Sequence, residues 1–141
     1  MEPEFGPLFD QINYSTAAHI DSVFDAQGSV KEKFTSWWIG FARYSNEKPF
    51  DLIYMDQLAT SHLYPLFGSQ PSTSFYKKIG QIVKEGQDLG LIKKVEISQI
   101  NQFVRCALIG VIKTNISTGK KTSEEQIVWM VETCWDGIKT S

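Results

Sequence analysis

ISQINQFVRCALIGVIKTNISTGKKTSEEQIVWMVETCWDGI, residues 97–138, is the stretch from which the architecture can be read. Two apolar segments follow one another, broken only by the polar turn Thr118-Gly119-Lys120-Lys121. At 3.6 residues per turn, Ile100, Phe103, Val104, Ala107, Leu108, Val111 and Ile112 share one broad arc. Ile109 and Ile116 fall outside most of it and add a second stripe. In the later segment Ile127, Val131, Cys134, Trp135 and Ile138 form one face, widened by Val128 and Met130. Trp129 points away, among Glu125, Glu132 and Asp136. Helices apolar on two sides sit between two bodies. This pair is therefore expected to pack on its own domain and to meet a partner, a second copy of the chain.

Upstream of this pair, the rest of the chain reads as helix as well. The first segment runs from about Pro7 to Phe24, with Phe9, Ile12, Ile20 and Val23 on one side. Proline suits a first helical turn, and Gln27-Gly28 ends the segment. Ser29 and Glu32 match a capping box, each side chain satisfying the other's free backbone donor. They open a helix to about Tyr44 whose aromatic face carries Val30, Phe34, Trp37, Trp38, Phe41 and Ala42. Pro49 disfavours helix at Lys48 and marks a break. A third helix spans about Phe50 to Leu63, with Phe50, Ile53, Tyr54, Leu58 and His62 on one side. Pro65, Gly68 and Pro71 punctuate a loop. A fourth helix from about Thr73 to Leu89 carries Phe75, Ile79, Ile82, Val83 and Leu89, and Gly90 supplies its cap. The fifth runs from Ile97 to about Ser117. Thr122 and Glu125 repeat the capping-box pattern and open the sixth. No hairpin signal and no internal repeat occur. The expectation is an all-α, six-helix antiparallel bundle forming one domain over residues 1–141.

Bulk composition narrows function by exclusion. Hydrophobic residues make up 42% and charged residues 21%, and the formal net charge is −2. That charge leaves no electrostatic footprint for nucleic acid or acidic membrane. The pairs Lys77-Lys78, Lys93-Lys94 and Lys120-Lys121 are isolated and suit solvated helix ends. No run approaches the ~20 apolar residues of a membrane span. The acidic start Met1-Glu2-Pro3-Glu4 lacks a signal peptide's regions, so a cytoplasmic protein is expected. The two cysteines, Cys106 and Cys134, sit one on each apolar helix and are expected as buried free thiols.

Catalytic patterns are absent: there is no phosphate-binding loop, no dinucleotide fingerprint, no His-Glu-x-x-His and no Cys-x-x-Cys. The two histidines, His19 and His62, cannot make a three-histidine zinc site. No cofactor, no metal and no enzymatic activity are expected. His62 ends an aromatic helix beside a loop. The helix dipole favours a histidine there, and the same position would let it orient a ligand at a pocket mouth. Aromatic residues crowd the middle of the chain. Most belong in a packed core, yet large rings between helices also leave concave apolar sites.

Over nearly its whole length, and most strongly in its second half, the sequence resembles the C-terminal regulatory domain of TetR-family transcriptional repressors. The turn Gly86-Gln87-Asp88-Leu89-Gly90-Leu91-Ile92, the helix around Phe103-Val104-Arg105-Cys106-Ala107-Leu108-Ile109-Gly110-Val111-Ile112, and the segment opened by Thr122-Ser123-Glu124-Glu125 and ending in Cys134-Trp135-Asp136-Gly137-Ile138 carry the likeness. The resemblance implies a homodimer through the last two helices, with Ile109, Ile112, Ile116, Val128, Trp129 and Trp135 at the interface. Gly110, beside Ala107 and Thr114, would allow close helix approach. It also implies a pocket for a small, mostly apolar effector, lined by Trp38, Phe41, Tyr54, Leu58, His62, Phe75 and Phe103. A DNA-binding head should precede such a domain. No helix-turn-helix with a basic recognition helix occurs in these residues, so DNA is expected as a partner only through that missing domain. The alternative is a small all-α enzyme or hydrophobe carrier that uses the aromatic cavity.

Overall fold

The computed structural model describes the backbone of residues 2–59 and 74–141 and the side chains of residues 8–57 and 77–141. Six helices make up the described fold: α1 (Glu2–Val23), α2 (Val30–Glu47), α3 (Pro49–Ala59), α4 (Ser74–Asp88), α5 (Ile97–Thr118) and α6 (Glu124–Ile138). The all-α expectation holds, and the only β feature among the described residues is one antiparallel bridge, Ile92 to Lys139.

The aromatic face of α2 makes that helix the hub. It packs on α1, α3, α4, α5 and α6. Phe34, Trp37, Trp38 and Phe41 are buried along it, and Trp135 of α6 closes on Phe34 with ring centroids 5.5 Å apart. Around them α1 contributes Ile20, α4 contributes Ile79 and Val83, α5 contributes Ile100, Val104 and Ile112, and α6 contributes Ile127 and Val131. Removing this much apolar surface from water is the main force holding the bundle together.

The helix ends follow local chemistry. Ser29 and Glu32 form the expected capping box on α2. The box on α6 lies one residue later than expected, at Ser123 and Gln126. Thr122 is drawn into a tertiary clamp instead. Its N–H donates to Asn46 Oδ1 at 2.9 Å, its carbonyl accepts from Asn46 Nδ2 at 2.9 Å, and its hydroxyl accepts from Asn115 Nδ2 at 2.6 Å. These contacts hold Thr122 in the turn, and Ser123 takes the cap position. Gly90 and Gly119 close α4 and α5 with φ of +75° and +70°, a region that glycine enters without strain.

Several faces differ from the helical-wheel expectation. Ile109, placed on an outer stripe, is buried. Helix α3 covers that flank: Asp56 pairs with Arg105 at 3.4 Å and with Lys113 at 3.5 Å, one turn on either side of Ile109. Part of the surplus apolar surface is thus consumed within the protomer. Phe50, Leu89 and Phe103, placed on inner faces, are exposed. Cys134 is buried, whereas Cys106 lies at the surface.

Candidate functional site

Helix α2 places Trp38 and Phe41 in a ring cluster, each buried, with centroids 5.5 Å apart. Trp37 packs edge-on to Trp38 at 4.8 Å and to Phe41 at 5.4 Å. These rings pack directly on one another. Tyr54, half-buried on α3, has a hydroxyl buried without a protein partner, and burial raises its pKa. Leu58, His62 and Phe75 carry side chains outside those described. Phe103 does not join this group. It stands 57% exposed on α5, and a Cβ built on Gly137 of α6 would lie 3.5 Å from its ring. Among the described members of that set, Trp38 and Phe41 lie in the α2 core, Tyr54 is half-buried on α3 and Phe103 stands on the outer α5–α6 face.

Phe41 does line a partly open cavity, a small one of about 10 Å³, between α1, α2 and α3. Ile12, Leu52 and Met55 complete its apolar wall; Thr16, Tyr44, Ser45 and Asp51 supply polar groups. The Tyr44 hydroxyl donates to Asp51 Oδ2 at 2.6 Å. Burial first, then the adjacent Asp51 carboxylate, push the Tyr44 pKa up to about 12, with the Thr16 and Ser15 hydroxyls opposing. The Thr16 hydroxyl donates to the Ile12 carbonyl at 2.7 Å. The Ser45 hydroxyl is fully buried, 0% exposed, with no protein partner. Nearby on α1, Asn13 is likewise buried with both amide atoms unpartnered, and the His19 ring packs 5.7 Å from Tyr44. Helical-wheel reasoning passes over this cluster. The available signal is polar residues at apolar-face spacing, Asn13 and Thr16 among Phe9, Ile12 and Ile20, and Ser45 one turn after Phe41.

The α5–α6 face is the second candidate. Of the residues expected at a dimer interface, Ile109, Ile112 and Trp135 are buried inside the protomer and Ile116 is half-buried. Val128 is exposed, and Trp129 is 67% exposed. Trp129 borders a groove of about 200 Å³ between the two helices, whose floor includes Val111, Asn115 and Met130. Gly110 is also exposed, and a Cβ added there would meet nothing within 4 Å. A further groove of about 240 Å³ lies at one end of the bundle, between Pro49-Phe50 and Gly119-Lys121.

Among the described residues no cluster of three or more His, Cys, Asp or Glu could hold a metal ion. No described helix is long and apolar enough to cross a membrane.

This arrangement, a six-helix bundle around a central aromatic helix with no sheet among the described residues, is the TetR-type regulator fold. A TetR-family transcription regulator from Marinobacter aquaeolei VT8 superposes with a TM-score of 0.73 and 19% identity, over 95% of this chain and 72% of its own. A chain assigned to the same family from Shewanella sp. PV-4 gives 0.68 at 10% identity, over 94% of this chain and 72% of that one. A protein of unknown function from Rhodococcus sp. RHA1 gives 0.71 at 14% identity, covering 96% and 71%. No family model and no curated protein matches the sequence. The likeness lies in helix order and packing, not in shared residues.

Proposed function

We propose that this chain is the effector-sensing and dimerisation domain of a TetR-like transcriptional regulator. The observation that carries the reading is the superposition on two TetR-family chains along nearly all of its length. The exposed α5–α6 face supports its dimer half. Trp129 and Phe103, large and exposed, stand on the α5–α6 face, and Gly110 of α5 is small and exposed, so a second copy could approach closely and bury both rings. Ile109, Ile112 and Trp135 act from inside the protomer, holding the two helices in place for that contact.

The sensing half lies among α1, α2 and α3. An effector can shift a regulator only by binding its two states unequally. Here it would set the spacing of α1 against α2 and α3, and α1 would carry the change toward a DNA-binding head. DNA contact belongs to that head, and the −2 net charge of this chain fits a domain that does not itself hold DNA.

Light scattering after size exclusion tests the dimer. At micromolar concentration the wild type should run at twice the chain mass and Trp129→Glu at the chain mass. A monomeric wild type would sink the reading.

A further inference from the structure

The cavity between α1, α2 and α3 has an unusual hydrogen-bonding balance. Its lining carries one ionised group, the Asp51 carboxylate, and no lysine or arginine. The neighbouring Arg43 is occupied, its guanidinium donating to both oxygens of Glu124 at 2.7–3.1 Å. The hydroxyl protons facing the cavity are largely spent. Thr16 gives its proton to the Ile12 carbonyl and Tyr44 gives its proton to Asp51, so the Thr16 oxygen keeps a lone pair for a guest, while the Tyr44 oxygen is approached by the Thr16 and Ser15 hydroxyls. A carboxylate has about four acceptor sites, and Tyr44 fills one of those on Asp51. Ser45 adds a hydroxyl that is 0% exposed and unpartnered. Buried polar atoms without partners are costly, so Ser45 calls for a partner, and the Asp51 carboxylate beside it makes a positively charged donor the fitting one.

We propose that this cavity is the polar end of the effector site and takes a primary ammonium group, the effector being a small alkyl or aryl amine. The inference rests on the sensing reading above and names the chemical class that the sensor recognises. Size agrees: about 10 Å³ holds one water-sized group, and an ammonium is that size. Its three N–H donors match Asp51, Ser45 and a lone pair of Thr16, and its charge offsets that of Asp51. The Phe41 and Tyr44 rings at the wall add a cation–π contribution. The hydrocarbon part would follow Phe41, Leu52 and Met55, where the unbranched methionine can move aside. An anionic effector would meet the Asp51 charge with no cation to offset it.

Calorimetric titration of the chain at neutral pH with octylamine, 1-octanol, octanoate and octyltrimethylammonium decides the matter. Octylamine should bind at least about tenfold more tightly than 1-octanol, the value of a charge-assisted hydrogen bond. Octanoate should be the weakest. Octyltrimethylammonium, charged but without N–H donors and too bulky for the cavity, should lose the advantage. Asp51→Asn should bring octylamine to within about twofold of 1-octanol. Equal binding of amine and alcohol, a preference that survives Asp51→Asn, or full binding of the trimethyl compound overturns the ammonium inference and leaves the sensor reading standing. Failure of all four to bind overturns both. Should Asp51→Asn fail to fold by circular dichroism, the ligand series on the wild type decides alone.

Discussion

Asn46 shows how one side chain can set a loop. Its amide clasps both backbone groups of Thr122, on the turn between α5 and α6, from the end of α2. Asn46→Ala removes both hydrogen bonds and leaves those backbone groups to find water. The change should cost about 2 kcal/mol, read as a lower urea midpoint at unchanged slope. Tyr44 offers a pH test at the same scale. Its folded pKa of about 12 lies above the ordinary tyrosine value of 10.0. Between those two values the folded chain keeps a proton that the unfolded chain has lost. Stability from this group is therefore intact below pH 10 and lost as pH rises toward about 12. Denaturation at fixed urea across that window should show a steeper loss for the wild type than for Tyr44→Phe, which has no proton to release. The cysteines divide similarly. Cys106 is exposed, while burial pushes the Cys134 thiol up. A thiol reagent should modify one cysteine quickly in the native protein and both after unfolding.

Helix α4 contains two glycines with opposite roles. Among the described residues, a Cβ at Gly80 would meet only Ile97 Cγ2, at 3.9 Å. Gly86 lies directly under Ile92, whose side chain is fully buried, and a Cβ would also come within 3.0 Å of Val30 Cγ1. Gly80→Ala should raise stability by up to about 1 kcal/mol, because alanine is the better helix former. Gly86→Ala gains the same propensity, but its Cβ would press on the buried side chains of Ile92 and Val30, and this overpacking should outweigh the gain, for a net loss of about 1–2 kcal/mol. Thermal melts of the two variants should move in opposite directions. The close approach at Gly86 lets the α4–α5 turn fold back onto α4, with the Leu91 and Ile92 N–H groups donating to the Gly86 carbonyl at 2.7 and 3.1 Å. The same turn then pairs with the C-terminal residues through the Ile92–Lys139 bridge.

For the molecule as a whole, the dimer reading makes stability depend on concentration. Raising protein concentration a hundredfold should raise the melting temperature of the wild type and leave that of Trp129→Glu unchanged, since association with a second copy stabilises only the folded chain. Much of this architecture is legible in the sequence. Helix number, the capping box at Ser29, the glycine cap at Gly90 and the aromatic face of α2 all follow from spacing and end chemistry within a single helix, which is local information. What local information lacks is the identity of the neighbour. The wheel marks Ile109 as surplus apolar surface, but only the docking of α3 covers that surplus within the chain. It places Phe103 on the inner arc of α5, yet that residue stands exposed beside Gly137 of α6. Thr122 has the sequence of a helix cap and becomes a clamp because Asn46, distant in sequence, reaches it. The polar cluster of Thr16, Tyr44, Ser45 and Asp51 exists only where three helices meet. Propensity and periodicity act within a few residues, so residue order alone specifies which segments are helical and which positions on each are apolar. Burial depends on which helix arrives, so what each face touches is settled only when the helices pack. For the two apolar helices at residues 97–138, that packing left one flank under α3 and the other, with Trp129, open to a partner.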